Sequence, residues 1–293
     1  RDCGNEPFFL YMAHMHVHLP LYAPEHFVKK SRNGDYGACV MAIDWSTGAI
    51  VEALKKYGVY ENTLIIFTSD NGSRNDFGES NGTLRGGKRE TWEGGQRVPF
   101  IVHWKGEISP GTSDALITSL DLYPSLAAIA GAKIPKDRII DGIDLSDLIL
   151  GKTKTSKRKE FFYYLCNTLE AARVGDWKLH VAKPKVSRET EDVTRDASVI
   201  PKPVIDDDVE VRELYNLRDD PGETNNLYDE YPDIVEMIMG RIRECREDIG
   251  DAFTSTKGKN VRKPGKVSSP KLLTQYSEDH PYIISMYDKT EVG

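Results

Sequence analysis

The sequence predicts an α/β domain with a largely parallel sheet, followed by a small antiparallel sheet packed by one helix. Three observations carry this prediction. Residues 8–70 read as strand, helix and strand; residues 161–217 hold short apolar runs at hairpin-like spacing without intervening helices; and one amphipathic run begins at Pro232. With 293 residues, the chain has ample length for a sizeable core in one large domain or two ordinary ones.

The first predicted strand, residues 8–13, is apolar and aromatic, and Pro20 and Pro24 end it. His14, His16 and His18 follow at alternate positions, so an extended backbone points all three to one face. After the Asn33-Gly34 turn, Val40, Ile43, Ile50, Val51 and Leu54 recur at helical spacing and predict one buried face, with Lys55, Lys56 and Gly58 as the stop signal. The apolar run 64–68 is the next strand, and it ends in Asp70, Asn71 and Gly72. Residues 91–95 read as a loop, residues 98–104 as a strand with Pro99 at its start, and residues 109–111 as a turn. Asp121 caps a short helix that runs to Ala130 and stops at Gly131. Residues 140–145 and 148–151 close this part, and the Lys-rich segment 152–159 reads as an exposed connector.

Beyond the connector, residues 161–165, 171–175, 177–181 and 213–217 are the predicted antiparallel strands. A polar insert, 184–209, separates the last two; its Asp206-Asp207-Asp208 triplet has oxygen ligands for Ca²⁺ but lacks Gly-centred ligand spacing, so a solvated loop is the preferred reading. Ile234, Met237, Ile238, Ile242 and Cys245 form the predicted sheet-facing side of the last helix. The expected division is residues 1–155, residues 156–250 and a tail, 251–293, whose aromatic stretch 276–287 docks back on the body.

A net charge of −7 and a pI near 5.6 disfavour a nucleic-acid surface. No apolar run approaches the roughly eighteen residues of a membrane span. Residues 1–20 lack a signal-peptide pattern, and the start at Arg1 without Met suggests that the beginning has been removed. Cys3, Cys39, Cys166 and Cys245 form no C-x-x-C pair, which gives no support to a zinc or thioredoxin-like motif.

The chemistry-bearing residues gather at strand ends. Asp70 and Asn71 bring hard oxygen donors to the carboxyl end of a strand, where open α/β sheets place ligands, and such donors suit Ca²⁺ or Mg²⁺. Lys88 supplies a point charge for an anionic substrate, and His18 a proton donor. Each has a plainer alternative: an Asn-Gly turn after a strand, a surface lysine, a histidine at a strand end, or a zinc site from the three histidines. Together the four residues provide a cation site, an anion clamp and an acid, as hydrolysis of a charged ester requires.

Several ordered motifs add a resemblance. His18-Leu-Pro20 after an apolar run, residues 62–72 (NTLIIFTSDNG), residues 84–88 (LRGGK), residues 91–95 (TWEGG), Val98-Pro-Phe100, residues 121–125 (DLYPS) and residues 141–144 (DGID) resemble the type I sulfatases, in particular the arylsulfatase A and N-acetylgalactosamine-6-sulfatase group. Residues 175–180 (GDWKLH) and 214–223 (LYNLRDDPGE) resemble the smaller C-terminal subdomain of that family.

The resemblance implies an alkaline-phosphatase-like sulfatase fold, with the first part of the chain as the second half of a large mixed-sheet domain. It also implies that Asp70 and Asn71 are Ca²⁺ ligands, that Lys88 contacts sulfate, and that His18 bonds the sulfate or protonates the leaving oxygen. Sulfated small molecules or carbohydrates are the implied substrates, in a secreted, periplasmic or lysosomal setting. One departure stands out. The family makes its formylglycine nucleophile from Cys or Ser in Cys/Ser-x-Pro/Ala-x-Arg, and no Cys or Ser of this sequence has that context. The expectation is a C-terminal portion whose nucleophile lies on a preceding segment or separate chain, with that segment as its partner, and which is inactive alone. A phosphate or phosphonate ester hydrolase of the same superfamily and a non-catalytic sulfatase-like binding protein are the alternatives.

Overall fold

The computed structural model describes residues 6–74, 77–185, 206–263 and 265–269. The chain divides into two units, residues 1–47 with 262–293, and residues 48–261.

In the first unit, residues 8–13 have no ladder partner among the described residues, and Phe9 and Tyr11 are 78% and 80% exposed. The expected strand is therefore not formed. An apolar, aromatic run suits a sheet, but a strand requires a neighbour that takes up its N–H and C=O groups. Residues 16–19 turn instead of extending, with the His18 N–H donating to the Met15 carbonyl at 3.0 Å, so the three histidines do not share a strand face. The short helix α1 (Glu25–Lys30) follows Pro24, with Glu25 in its first turn and Lys29 and Lys30 in its last, each sign matched to the helix dipole.

Helix α2 (Gly34–Lys56) begins in this unit and continues into the next. Its start and stop agree with the sequence signals, but Ala38, Cys39 and Ala42 are buried, in a cluster with Ala23 and Phe27, whereas Val40 is largely exposed. Small side chains on that face leave room for the Phe27 ring. By length and composition alone α2 meets the test for a membrane span. Asp44, however, stands exposed near its midpoint, where a carboxylate in hydrocarbon costs about 2.5–3.5 kcal/mol, and the Ala38–Ala42 side is already covered.

The second unit opens with a 3₁₀ turn (Tyr60–Asn62) and β1 (Ile65–Thr68), which pairs antiparallel with β2 (Phe100–His103) in the register Ile65 to His103. This overturns the parallel unit expected over residues 8–70, because the strand that was to begin it is not formed. Between β1 and β2, the segment expected as a loop contains a single helical turn, α3 (Glu93–Gln96).

Helix α4 (Ser119–Ile129) follows, but Asp121 is its third residue and Thr118 its N-cap. The buried Asp121 carboxylate accepts hydrogen bonds from Thr118 N and Oγ1 at 2.9 Å, from Ile143 N at 2.8 Å, and from Arg158 Nε and Nη2 at 2.7 and 2.6 Å. Burial works to raise this carboxyl, but the Arg158 guanidinium and the N–H donors outweigh it and hold the group below the usual carboxylate range. The connector reading thus fails at Ser156 and Arg158, which are buried; Arg158 answers the charge of Asp121. Residues 141–144 pack so closely on α4 that a Cβ at Gly142 would lie 2.0 Å from the Leu120 carbonyl oxygen. A one-turn helix, α5 (Ser146–Ile149), comes next.

The antiparallel sheet agrees with expectation and is longer: β3 (Glu160–Leu165), β4 (Thr168–Val174), β5 (Trp177–Lys185) and β6 (Asp206–Asn216), in that order. The acidic triplet 206–208, expected in a loop, opens β6. Helix α6 (Pro232–Ile249) buries Val235, Ile238, Ile242 and Cys245 against Leu169, Ala172, Leu179, Val181 and Leu214. Val235 takes the place expected of Met237, which is exposed. Cys39, Cys166 and Cys245 are unpaired. The insert 186–205 and the docking expected of 276–287 lie outside the described residues.

Candidate active site

Asp70 and Asn71 follow β1 after Ser69, and the chain then passes through a lattice of close backbone contacts. Gly72 N donates to Gly95 O at 2.9 Å, Gly94 N to Arg85 O at 2.8 Å, and Lys88 N to Ser73 O at 2.8 Å. Lys88 is thereby set beside the turn that carries Asp70 and Asn71. Glycine is required at these crossings. A Cβ at Gly72 would meet Gly94 O at 1.8 Å, one at Gly94 would meet Gly86 O at 2.4 Å, and one at Gly95 would meet Glu90 O and Gly87 O at 2.3 Å. Asn81 adds a side-chain brace: its Oδ1 accepts from Ser73 N at 3.0 Å and its Nδ2 donates to Gly86 O at 2.9 Å. Asp70 is exposed, whereas Asn71 and Lys88 are half-buried.

Three of the four expected site residues therefore stand on one braced loop system. His18 belongs to the first unit, where its Nδ1 lies 2.8 Å from the Leu19 carbonyl oxygen. Among the described residues, no group of three or more His, Cys, Asp or Glu side chains is arranged for a metal ion. Asp70 and Asn71 offer two adjacent hard oxygens, which fit part of a Ca²⁺ shell of about six to eight.

Behind the loops lies a buried ionic cluster that sequence reasoning did not single out. Lys178 Nζ is fully buried and reaches Thr91 O at 2.7 Å, Glu93 Oε1 at 3.0 Å and Glu223 Oε1 at 3.0 Å. His180 Nε2 lies 2.9 Å from the same Glu223 oxygen, and Tyr163 OH donates to Glu93 Oε1 at 3.1 Å. Burial, then the charges of Lys178 and Lys183, push His180 well below its ordinary value, so it is neutral near pH 7. Burial and the Glu93 carboxylate push the Tyr163 phenol well up.

Glu170 sits at the register shift between the Tyr164–Leu169 and Tyr163–Ala171 pairs, and its Oε2 accepts from Thr91 Oγ1 at 2.6 Å. The Arg85 guanidinium and the Lys183 ammonium each lie over the Trp92 ring, 3.6 Å from its centroid. A signal for this cluster was available in β5: Lys178 and His180 alternate with Trp177, Leu179 and Val181, so two polar side chains share a face in a strand covered on its other side.

Comparison with known proteins bears on this arrangement. The family described as Sulfatase matches residues 2–132, and the one described as C-terminal region of aryl-sulfatase matches residues 156–270. Arylsulfatase A of Homo sapiens is 38% identical over 230 residues, 76% of this chain and 45% of the relative. N-acetylgalactosamine-6-sulfatase of Mus musculus is 36% identical over 261 residues, 84% of this chain and 49% of the relative. A structure solved in work on the metabolism of multiple glycosaminoglycans by Bacteroides thetaiotaomicron superposes with a TM-score of 0.67 at 30% identity, covering 83% of this chain and 51% of that one. The chain spans about half the length, or less, of the relatives it matches, and it shares their alkaline-phosphatase-like fold.

Proposed function

This chain belongs to the sulfatase family, and from that premise we propose that it supplies part of the active centre of a sulfuric ester hydrolase, with the formylglycine nucleophile outside these 293 residues. The observation that supports this reading is the Lys88 N–H to Ser73 O bond, which brings the backbone of Lys88, the second cation of the LRGGK motif, to the segment after β1 that carries Asp70 and Asn71. In this reading Asp70 and Asn71 hold Ca²⁺, whose charge supports a negative nucleophile and sulfate oxygens. Lys88 places its ammonium on the sulfate group and offsets the negative charge that grows on it in the transition state. His18 is the candidate donor of a proton to the leaving oxygen. The substrate class is a sulfated small molecule or carbohydrate, and the parent protein works in a secreted, periplasmic or lysosomal setting. The segment that bears the nucleophile is the expected partner.

The purified 293-residue chain is expected to be inactive on aryl sulfates, and the parent protein active. Lys88→Ala in the parent protein should lower turnover by about 10²- to 10³-fold, with its unfolding midpoint unchanged. Sulfatase turnover by the isolated chain, or full activity in the Lys88→Ala parent, would refute the reading. A parent protein that cleaves phosphate esters and ignores sulfate esters would move it to the other branch of the superfamily.

A further inference from the structure

Glu223 lies in the DPGE motif, far from Asp70 and Lys88 in sequence, and no step of the proposed reaction uses it. Its contacts nonetheless run to both sides of the loop lattice. Its Oε2 accepts from Glu93 N at 2.7 Å, immediately before the two glycines that meet Gly72 and Arg85. Its backbone carbonyl accepts from Arg85 Nη1 at 3.0 Å, three residues before Lys88. Its other carboxylate oxygen takes Lys178 Nζ and His180 Nε2, which fixes the carboxylate to β5. Gly222 backs directly onto the same loop: a Cβ there would lie 2.8 Å from Thr83 O. Glu223 also has φ +52°, a left-handed backbone that a non-glycine residue adopts at a cost. A fully buried glutamate held in that conformation has been committed to this geometry by everything around it.

We propose that Glu223 is the positioning residue of the site: it grips Arg85 and Glu93 and so holds the 84–95 loops against Gly72 and Ser73, setting Lys88 beside Asp70 and Asn71. The inference rests on the reading of those three residues as the functional loop, but the grip itself is a property of the fold. It makes the C-terminal sheet the base on which the cation and anion contacts are set. Lys178, Tyr163 and Glu170 act with it, by securing Glu93 and Thr91 from β5, β3 and β4.

Amide hydrogen exchange on the full chain, followed by mass spectrometry, tests this. Glu223→Gln keeps the shape and removes the charge that holds Lys178. The expected result is exchange at least tenfold faster in peptides covering 70–74 and 86–95, with the α6 peptides, 232–249, unchanged. Equal acceleration in α6 would reduce Glu223 to a general contributor to stability and overturn the proposal, as would unchanged exchange at 70–74. If Glu223→Gln fails to fold, Tyr163→Phe serves in its place. It removes only the phenol bond to Glu93 and should accelerate 70–74 and 91–95 at least threefold without touching α6; no local change in it overturns the proposal. Calorimetric titration of the parent protein with Ca²⁺, beside its Asp70→Ala variant, separates the two claims. Local acceleration without Ca²⁺ binding refutes the cation reading of Asp70 and Asn71 and leaves the grip of Glu223 standing, whereas Ca²⁺ binding without local acceleration does the reverse.

Discussion

Alanine in place of glycine should have opposite effects at two positions of the second unit. At Gly72 the new Cβ would sit 1.8 Å from Gly94 O, 2.8 Å from Gly94 C and 3.0 Å from Gly95 Cα, all backbone atoms that no rotamer change can move. An ordinary contact needs about 3.4 Å or more, so the two segments must separate by roughly 1.5 Å. That separation breaks the Gly72 N to Gly95 O bond, worth about 1 kcal/mol net, and adds an overpacking cost of about 1–3 kcal/mol. Gly72→Ala is therefore expected to destabilise by about 2–4 kcal/mol. At Gly48, inside α2, a Cβ meets nothing within 4 Å. There Gly48→Ala should stabilise by about 0.5–1 kcal/mol through helix propensity alone. Urea unfolding followed by far-UV circular dichroism reads both. A Gly72→Ala loss below about 1 kcal/mol, or equal shifts in the two variants, would refute the claim that backbone crossing at Gly72 sets the loop.

Two further outcomes follow from the buried charges. Arg158→Met leaves Asp121 buried and without its cation, so it should cost about 3–5 kcal/mol in urea unfolding; adding Asp121→Asn should recover much of that loss, and a double variant as unstable as the single one would refute the pairing. His180 is buried against Glu223, feels the charges of Lys178, Lys183, Glu213 and Arg85, and stays neutral in the fold, while in the unfolded chain it binds a proton below about pH 6.5. Its contribution is thus present above pH 6.5 and lost as pH falls, by about 1.4 kcal/mol between pH 7.5 and 5.5. His180→Gln should flatten the stability profile in that window by this amount, and an unchanged slope would refute the assignment.

Much of the second unit is legible in the sequence because its signals are local. The strand at 64–68, the helix from Pro232 and the four antiparallel strands all announce themselves through periodicity within ten or so residues. The position of Lys88 next to Asp70 and Asn71 is harder to see, since it depends on glycines at 72, 86, 94 and 95 meeting across the loops. Motif order hinted at it, but no spacing rule states it. Arg158 was misread because a basic run looks solvated until the buried carboxylate opposite it is known, and Asp121 lies 37 residues away. The first strand failed for the opposite reason. Its composition is right, yet a ladder is a property of two segments, and residues 8–13 have no such partner among the described residues.

The C-terminal sheet buries an oily side under α6 and an ionic side against Thr91 and Glu93, and β5 threads between them with its side chains strictly sorted. A slip of β5 by one residue would carry Lys178 and His180 into the oil and deliver Leu179 and Val181 to the carboxylates, each exchange costing several kcal/mol. The strand is in this sense keyed like a lock. Misaligned pairings are rejected by solvation energy, before the turn at 175–176, with Gly175 at φ +60°, adds its own constraint.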